Sequence, residues 1–332
     1  MVERTRGDSV MKRRDFLKST ATFLGWFVLG GMSLGFAKER DYYHTLLISD
    51  LHLPVRKKKF PDKDVQKVIW AKKQNLLKVE NAWTDVDEVA VLGDLAARYG
   101  NEKEFRLVDD YLGQLQFPYY AVAGNHDYAY KDEPVKSKKG KKHKKAEGTL
   151  AEKRAKLAAF QKRYHLPGAY YARDVGRCRL LYLSPDGCRS SVDIADEQLA
   201  WLKKESAAHR HGPILFFFHG PIRGTLRTYN KKINTVAATA QPSQKLLEIL
   251  ADVPPGSLWI SGHTHTPPTN DSYADIRVNR INENLVNIHN PTIDARHLYT
   301  NSLYIYQDRI VIRTYDYDNG VWLDELERTF PY

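Results

Sequence analysis

Cysteine is nearly absent: the 332 residues include two, Cys178 and Cys188. Two thiols cannot build a cysteine zinc site or a disulfide scaffold. They can form one bridge in an oxidising compartment or stay free, and the sequence leaves both open. Long uninterrupted apolar runs are missing too. The apolar stretch 21–37 is broken by Gly25, Gly30, Gly31 and Gly35, and its length is at the lower limit for crossing a bilayer. There is no internal repeat. Basic residues are not spread over a face with aromatics between them, as a nucleic-acid surface requires. Of the net charge of +11, residues 1–37 carry +3 and residues 131–145 carry +6. The rest is close to neutral, so no specific nucleic-acid partner is expected.

Hydrophobic residues make up 42% of the chain, and 20 Tyr and 12 Phe add bulk. That supports a sizeable core in one large α/β domain. The first 37 residues read as an address. Lys12-Arg13-Arg14-Asp15-Phe16-Leu17-Lys18 precedes the apolar stretch, which closes on Gly35-Phe36-Ala37 before Lys38. This is the order of a cleaved secretory signal, and the paired arginines resemble a twin-arginine signal. The resemblance implies a partner in the twin-arginine export machinery, export of a folded protein and a periplasmic location. An uncleaved segment anchoring the protein in the membrane is the alternative.

Residues 42–332 then form the expected catalytic domain. Strands are predicted at 44–49, 88–92 and 119–123, alternating with helices at 65–83 and 105–115, which implies a parallel sheet. Residues 131–147 are lysine-rich, contain Gly140 and lack periodicity, as in a surface loop insert. Further helices are expected at 150–164, 196–207 and 244–251, and strands at 178–183, 214–218 and 258–261. Beyond 285 the pattern turns to strands without long helices between them. Residues 285–332 are therefore expected to complete a second, more antiparallel sheet.

Five groups of polar residues fall at predicted strand ends: Asp50-Leu51-His52, Gly93-Asp94, Gly124-Asn125-His126-Asp127, His219, and Gly262-His263-Thr264-His265. Their side chains are carboxylate, amide and imidazole, a ligand set suited to Mn, Fe or Zn. Two ligands spaced i, i+2 on an extended segment point the same way, so Asp50 with His52, and His263 with His265, can each grip an ion. Glycines before three of the groups are expected to let the backbone turn sharply.

In order and type these residues resemble the calcineurin-like metallophosphoesterase superfamily, in its bacterial phosphodiesterase-like branch. The pattern Asp-x-His, Gly-Asp, Gly-Asn-His-Asp, a lone His and Gly-His-x-His runs unbroken from 50 to 265. The resemblance implies a four-layer α-β-β-α sandwich of two facing mixed β-sheets, with a dinuclear metal site at strand carboxyl ends. It also implies roles. Asp50, His52 and His265 hold one metal, Asn125, His219 and His263 hold the other, and Asp94 bridges them. His126 faces the substrate as general acid and Asp127 orients it. Two cations about 3.5–4 Å apart can share an attacking water and neutralise the phosphoryl oxygens. Arg98 and Arg223 are candidate substrate contacts by their position after Asp94 and His219. Purple acid phosphatases differ, with Asp-x-Gly first and a tyrosine three residues after the bridging Asp. Here those positions are His52 and Ala97, which argues against a tyrosinate-bound ferric site.

The expected function is an exported hydrolase of phosphomonoesters or phosphodiesters. One alternative is a phosphohydrolase of phospholipids or cell-wall precursors, with the lysine insert drawn to an anionic membrane surface. A non-catalytic binding protein on the same fold is the other. Degenerate members lose ligands, whereas all seven and His126 are present here.

Overall fold

A computed structural model describes residues 40–136, 143–226 and 233–332. The expected signal, 1–37, and the middle of the lysine-rich insert lie outside the described residues. Strands β1 (Tyr43–Ile48), β2 (Glu88–Val91) and β3 (Tyr119–Ala121) alternate with helices α1 (Lys63–Asn81) and α2 (Glu102–Leu112). Each helix begins where a side chain satisfies its free amides. Asp62 accepts from the N–H groups of Asp64 and Val65, and Asn101 from that of Glu104. A four-residue helix, α3 (Asn125–Tyr128), follows β3. A short paired arm comes next, β4 (Val135–Lys136) and β5 (His143–Lys144), and then α4 (Leu150–Arg163). Thr149 and Glu152 close a reciprocal cap at the start of α4.

The second half holds β6 (Tyr170–Val175), β7 (Cys178–Leu183), α5 (Asp196–Ala208), β8 (Ile214–Phe218), α6 (Ser243–Ile249) and β9 (Ser257–Ser261). After these come α7 (Ile276–Asn279), β10 (Leu285–His289), β11 (Tyr299–Ile305), β12 (Arg309–Asp316), β13 (Val321–Trp322) and β14 (Arg328–Pro331). One sheet runs β13-β12-β11-β1-β2-β3, with β14 also on β12; the other runs β10-β9-β8-β7-β6. Both are mixed. β1, β2 and β3 are mutually parallel while β11 and β12 run antiparallel. β7 to β10 are parallel and β6 is antiparallel.

Side-chain alternation builds the layers. Leu46 and Ile48 of β1 pack with Leu76, Phe105 and Phe160 of α1, α2 and α4. Leu47 between them points the other way and joins Leu215, Phe217 and Ile260 of the second sheet. Phe216 and Phe218 turn outward to Leu199, Leu202 and Leu246 of α5 and α6. The result is helix, sheet, sheet, helix, as expected.

One expectation is corrected. Residues 285–332 do not together complete the second sheet. Only β10 joins it, beside β9, whereas β11 to β14 extend the first sheet from β1. The chain crosses back between β10 and β11, where Asn290 Nδ2 donates to the Leu47 carbonyl and the Ile293 amide to the Ser49 carbonyl. Antiparallel strands need no crossover helix, and alternation alone does not say which sheet's edge accepts them. Cys178 is buried, Cys188 is exposed, and both are free.

Candidate metal centre

All five polar groups lie just beyond strands, on loops that touch one another. Asp50 and His52 donate their amides to the carbonyls of Gly93 and Asp94 at 3.0 and 2.9 Å, and Gly262 donates to the His219 carbonyl at 3.0 Å. The backbone there is strained. Asp50, His52, Asp94, His263 and His265 have φ of 54°, 45°, 52°, 66° and 55°. Among the described residues, His165 is the one other non-glycine with positive φ. A left-handed non-glycine residue costs about 1 kcal/mol or more, and such strain gathers where side-chain placement matters more than stability.

The glycines serve a different purpose from the one expected. Only Gly93 adopts a left-handed turn, at φ 85°. Gly124 is extended, and a Cβ there would lie 2.2 Å from the Asp94 amide nitrogen and 2.4 Å from Asp94 Oδ1. A Cβ on Gly262 would lie 1.9 Å from Ser49 Oγ and 2.5 Å from Asp50 Oδ2. These two positions are bare because the loops have to touch.

The side chains converge in two nests. Asp50, His52 and His265 form one, Asp94, His219 and His263 the other, and a third group, His52, Asp94 and His126, overlaps both. His52 Nε2 lies 3.1 Å from His265 Nε2, and His263 Nδ1 lies 3.1 Å from His219 Nε2. Asp94 spans both: Oδ2 is 3.7 Å from His52 Nε2 and Oδ1 is 3.3 Å from His219 Nε2. Several ligands are aimed by a partner behind them, as metal-binding side chains usually are. His219 Nδ1 donates to the Leu92 carbonyl at 2.7 Å. Asn125 Nδ2 donates to Tyr130 Oη at 3.1 Å. Asp50 Oδ2 accepts from Ser49 Oγ and the His263 amide. What remains points inward: Asp50 Oδ1 and Asn125 Oδ1 are buried with no hydrogen-bond partner. A buried unpaired acceptor is costly unless something absent from the protein satisfies it. The donor set and these orphaned oxygens fit two cations.

Charge is arranged accordingly. Burial raises the Asp50 carboxyl, but the His265, His52 and His219 imidazoles outweigh it and hold it well below the usual range. Burial pushes His52 down to about 4, and burial with His219 pushes His263 down to about 4. Neutral imidazoles offer the lone pairs that ligation needs. Burial also opposes charge on His219, yet the Asp94 carboxylate draws it up to about 9.

His126 stands beside the nests, partly exposed. Its Nδ1 donates to the Ala97 carbonyl at 2.7 Å, which turns Nε2 toward the cavity. Asp127 does not orient it. The buried Asp127 carboxylate accepts the amides of Ala96 and Gly124, both at 2.8 Å, and so ties the second polar loop to the third. A carboxylate three residues into a short helix folds back on the helix start, out of reach of the neighbouring imidazole. The partner that sequence reasoning missed is Lys145. Its Nζ lies 3.3 Å from His126 Nε2 and 3.4 Å from the centre of the Tyr130 ring. One end of the insert therefore belongs to the site. Nothing local separates Lys145 from the other lysines of that run.

The nests open into a cavity of about 520 Å³ lined by Asp94, Asn125, His126, His263 and His265, and by Arg56 and Lys59. Neither expected arginine lines it. Arg98 is exposed and lies 4.9 Å from the centre of the Tyr99 ring, and Arg223 is exposed. Arg56 and Lys59 precede a helix and carry no motif, so nothing in the sequence marks them.

Residues 43–267 match the calcineurin-like phosphoesterase model, more than half of the chain. The chain belongs to the calcineurin-like phosphoesterase family. Six residues of its motif pattern, Asp50, His52, Asp94, His219, His263 and His265, form the two nests. Two solved structures share the fold. A purple acid phosphatase isolated from yellow lupin seeds is 12% identical, with a TM-score of 0.53, over 87% of this chain and 53% of its own. This chain therefore spans about half the length of the lupin enzyme. The structure of PhoD is 10% identical, with a TM-score of 0.51, over 87% of this chain and 72% of its own. No curated protein matches the sequence.

Proposed function

We propose that this protein hydrolyses phosphomonoesters or phosphodiesters outside the cytoplasm, with His126 as general acid. The observation that carries the reaction is Asp94, whose two oxygens face different nests. Asp50, His52 and His265 would hold one cation, Asn125, His219 and His263 the second, and Asp94 both. When bound, such a pair acidifies water and draws charge from the phosphoryl oxygens. The chain supplies position and the proton. His126 is locked by Ala97 with Nε2 toward the cavity, where a leaving alkoxide needs protonation. The Lys145 ammonium adds positive charge at the same point, and charge placed in advance on a developing anion lowers the barrier most.

Export is supported by the order Lys12-Arg13-Arg14, apolar stretch, Gly35-Phe36-Ala37. A role at the membrane surface draws less support. Of the insert's lysines, Lys131 lies 3.8 Å from Glu152 and Lys145 belongs to the site.

The test is a panel of monoesters, diesters, cyclic nucleotides and phospholipids on protein reconstituted with Mn, Fe or Zn. Turnover of at least one class, abolished by chelation, is expected; inactivity on all with full metal content contradicts the proposal. Fractionation of cells producing the Arg13→Lys, Arg14→Lys protein tests export. Retention in the cytoplasm is expected, and unchanged periplasmic yield would refute the twin-arginine route.

A further inference from the structure

The proposed reaction uses one side of the cavity and leaves the wall beyond His265 without a role. Three cationic side chains meet there at one carboxylate. Arg56 Nε lies 2.7 Å from Asp294 Oδ2, Lys73 Nζ 3.2 Å from Oδ1, and Lys59 Nζ 3.6 Å from Oδ2. Lys73 and Asp294 are fully buried. A buried carboxylate requires a cation close by, and Lys73 meets that requirement inside the protein. The group still carries a formal charge of +2. The surplus sits on Arg56 and Lys59, the two members that line the cavity. Their side chains remain 20% and 36% exposed, so a solute can reach them.

Position adds to charge. Arg56 Nη2 lies 3.4 Å from His265 Nδ1, so the guanidinium stands one imidazole ring away from the first nest. A cavity of about 520 Å³ is in the range that holds a small organic ligand. A phosphoryl group at the nests would thus place its ester substituent within reach of a guanidinium and an ammonium. A planar guanidinium fork and a mobile ammonium together suit an oxyanion.

We propose that Arg56 and Lys59 form a subsite for a second negative charge, making the preferred substrates phosphoesters whose alcohol part carries its own carboxylate or phosphate. The inference rests on the phosphoesterase function proposed above. A purely structural trio would behave differently: losing Lys59 would lower stability and leave selectivity alone.

The experiment compares phenyl phosphate with 4-carboxyphenyl phosphate, as monoesters and as methyl diesters, on the metal-loaded full chain. Wild-type kcat/KM favours the carboxylated member by roughly two- to fivefold, the scale of a partly exposed ion pair. Lys59→Met removes most of that preference through KM, and Lys59→Glu inverts it. Comparing the ratio between wild type and variant cancels any difference in leaving-group reactivity, and thermal melting checks that each variant is folded. A preference absent in wild type, or surviving both substitutions, overturns the subsite while leaving the phosphoesterase reading standing. Inactivity on all four esters, with no other phosphoester turned over, overturns both.

Discussion

Gly124→Ala adds one methyl group where two metal-binding loops touch. The new carbon would lie 2.2 Å from the Asp94 amide nitrogen, 2.4 Å from Asp94 Oδ1 and 2.9 Å from His219 Cε1. Ordinary contact begins near 3.4 Å, so the Asp94 backbone must retreat by about 1 Å. Asp94 is the residue shared by both nests, and a displacement of that size at a reacting centre costs roughly a hundredfold in rate. Stability should fall by about 1–3 kcal/mol, the usual cost of overpacking. Gly176→Ala is the control. Its φ is 54° but nothing lies within 4 Å of a Cβ there, so it should cost about 1–2 kcal/mol of left-handed strain and no activity. The assays are metal content after chelator challenge, kcat/KM on an aryl phosphate and thermal melting. Gly124→Ala with wild-type metal retention and turnover would refute the idea that loop contact shapes the site.

Three other outcomes are expected. His126→Asn keeps both metals but lowers kcat by about 10²–10⁴, most for poor leaving groups; equal losses on an aryl phosphate and an alkyl ester would rule out the acid role. Lys145→Met, which removes the ammonium beside His126 Nε2, lowers kcat/KM by about tenfold, whereas deleting an equal number of lysines from 136–144 does not. If the two changes act alike, Lys145 is only part of a charged loop. Glu80 is fully buried, with its Oε1 accepting from Tyr317 Oη at 2.7 Å, and burial pushes its carboxyl from 4.5 up to about 8. A raised folded pKa means that this stability is whole below 4.5 and is lost as pH climbs toward about 8, at up to roughly 1.4 kcal/mol per pH unit. Glu80→Gln should flatten that decline in denaturation curves, and an unchanged slope would show that Glu80 is ionised in the fold.

The ligands were legible because strand ends leave a local trace: an apolar run, then a polar residue beside glycine. Strands such as Ile214–Phe218 are apolar on both faces, and the structure buries both. Which sheet receives a strand depends on free edges elsewhere in the chain, so the pattern beyond 285 does not reveal that Tyr299–Ile305 joins the first sheet. Gly124 and Gly262 were legible as glycines, but the loops that forbid a side chain there come from distant segments. Asp127 shows the limit of adjacency: it neighbours His126 in sequence and bonds to Ala96 and Gly124 instead. Arg56, Lys59 and Lys145 have no motif. Their meaning comes from Asp294, more than two hundred residues from Arg56 and Lys59, and from the chain's return to His126.

The most direct test is the metal count of wild type against Asp94→Asn, measured by elemental analysis on folded protein with turnover recorded in parallel. Two ions per wild-type chain are expected, with at most one, and no hydrolysis, in the variant. One ion or none in an active wild type, or two ions with full activity in Asp94→Asn, would contradict a shared, two-metal centre.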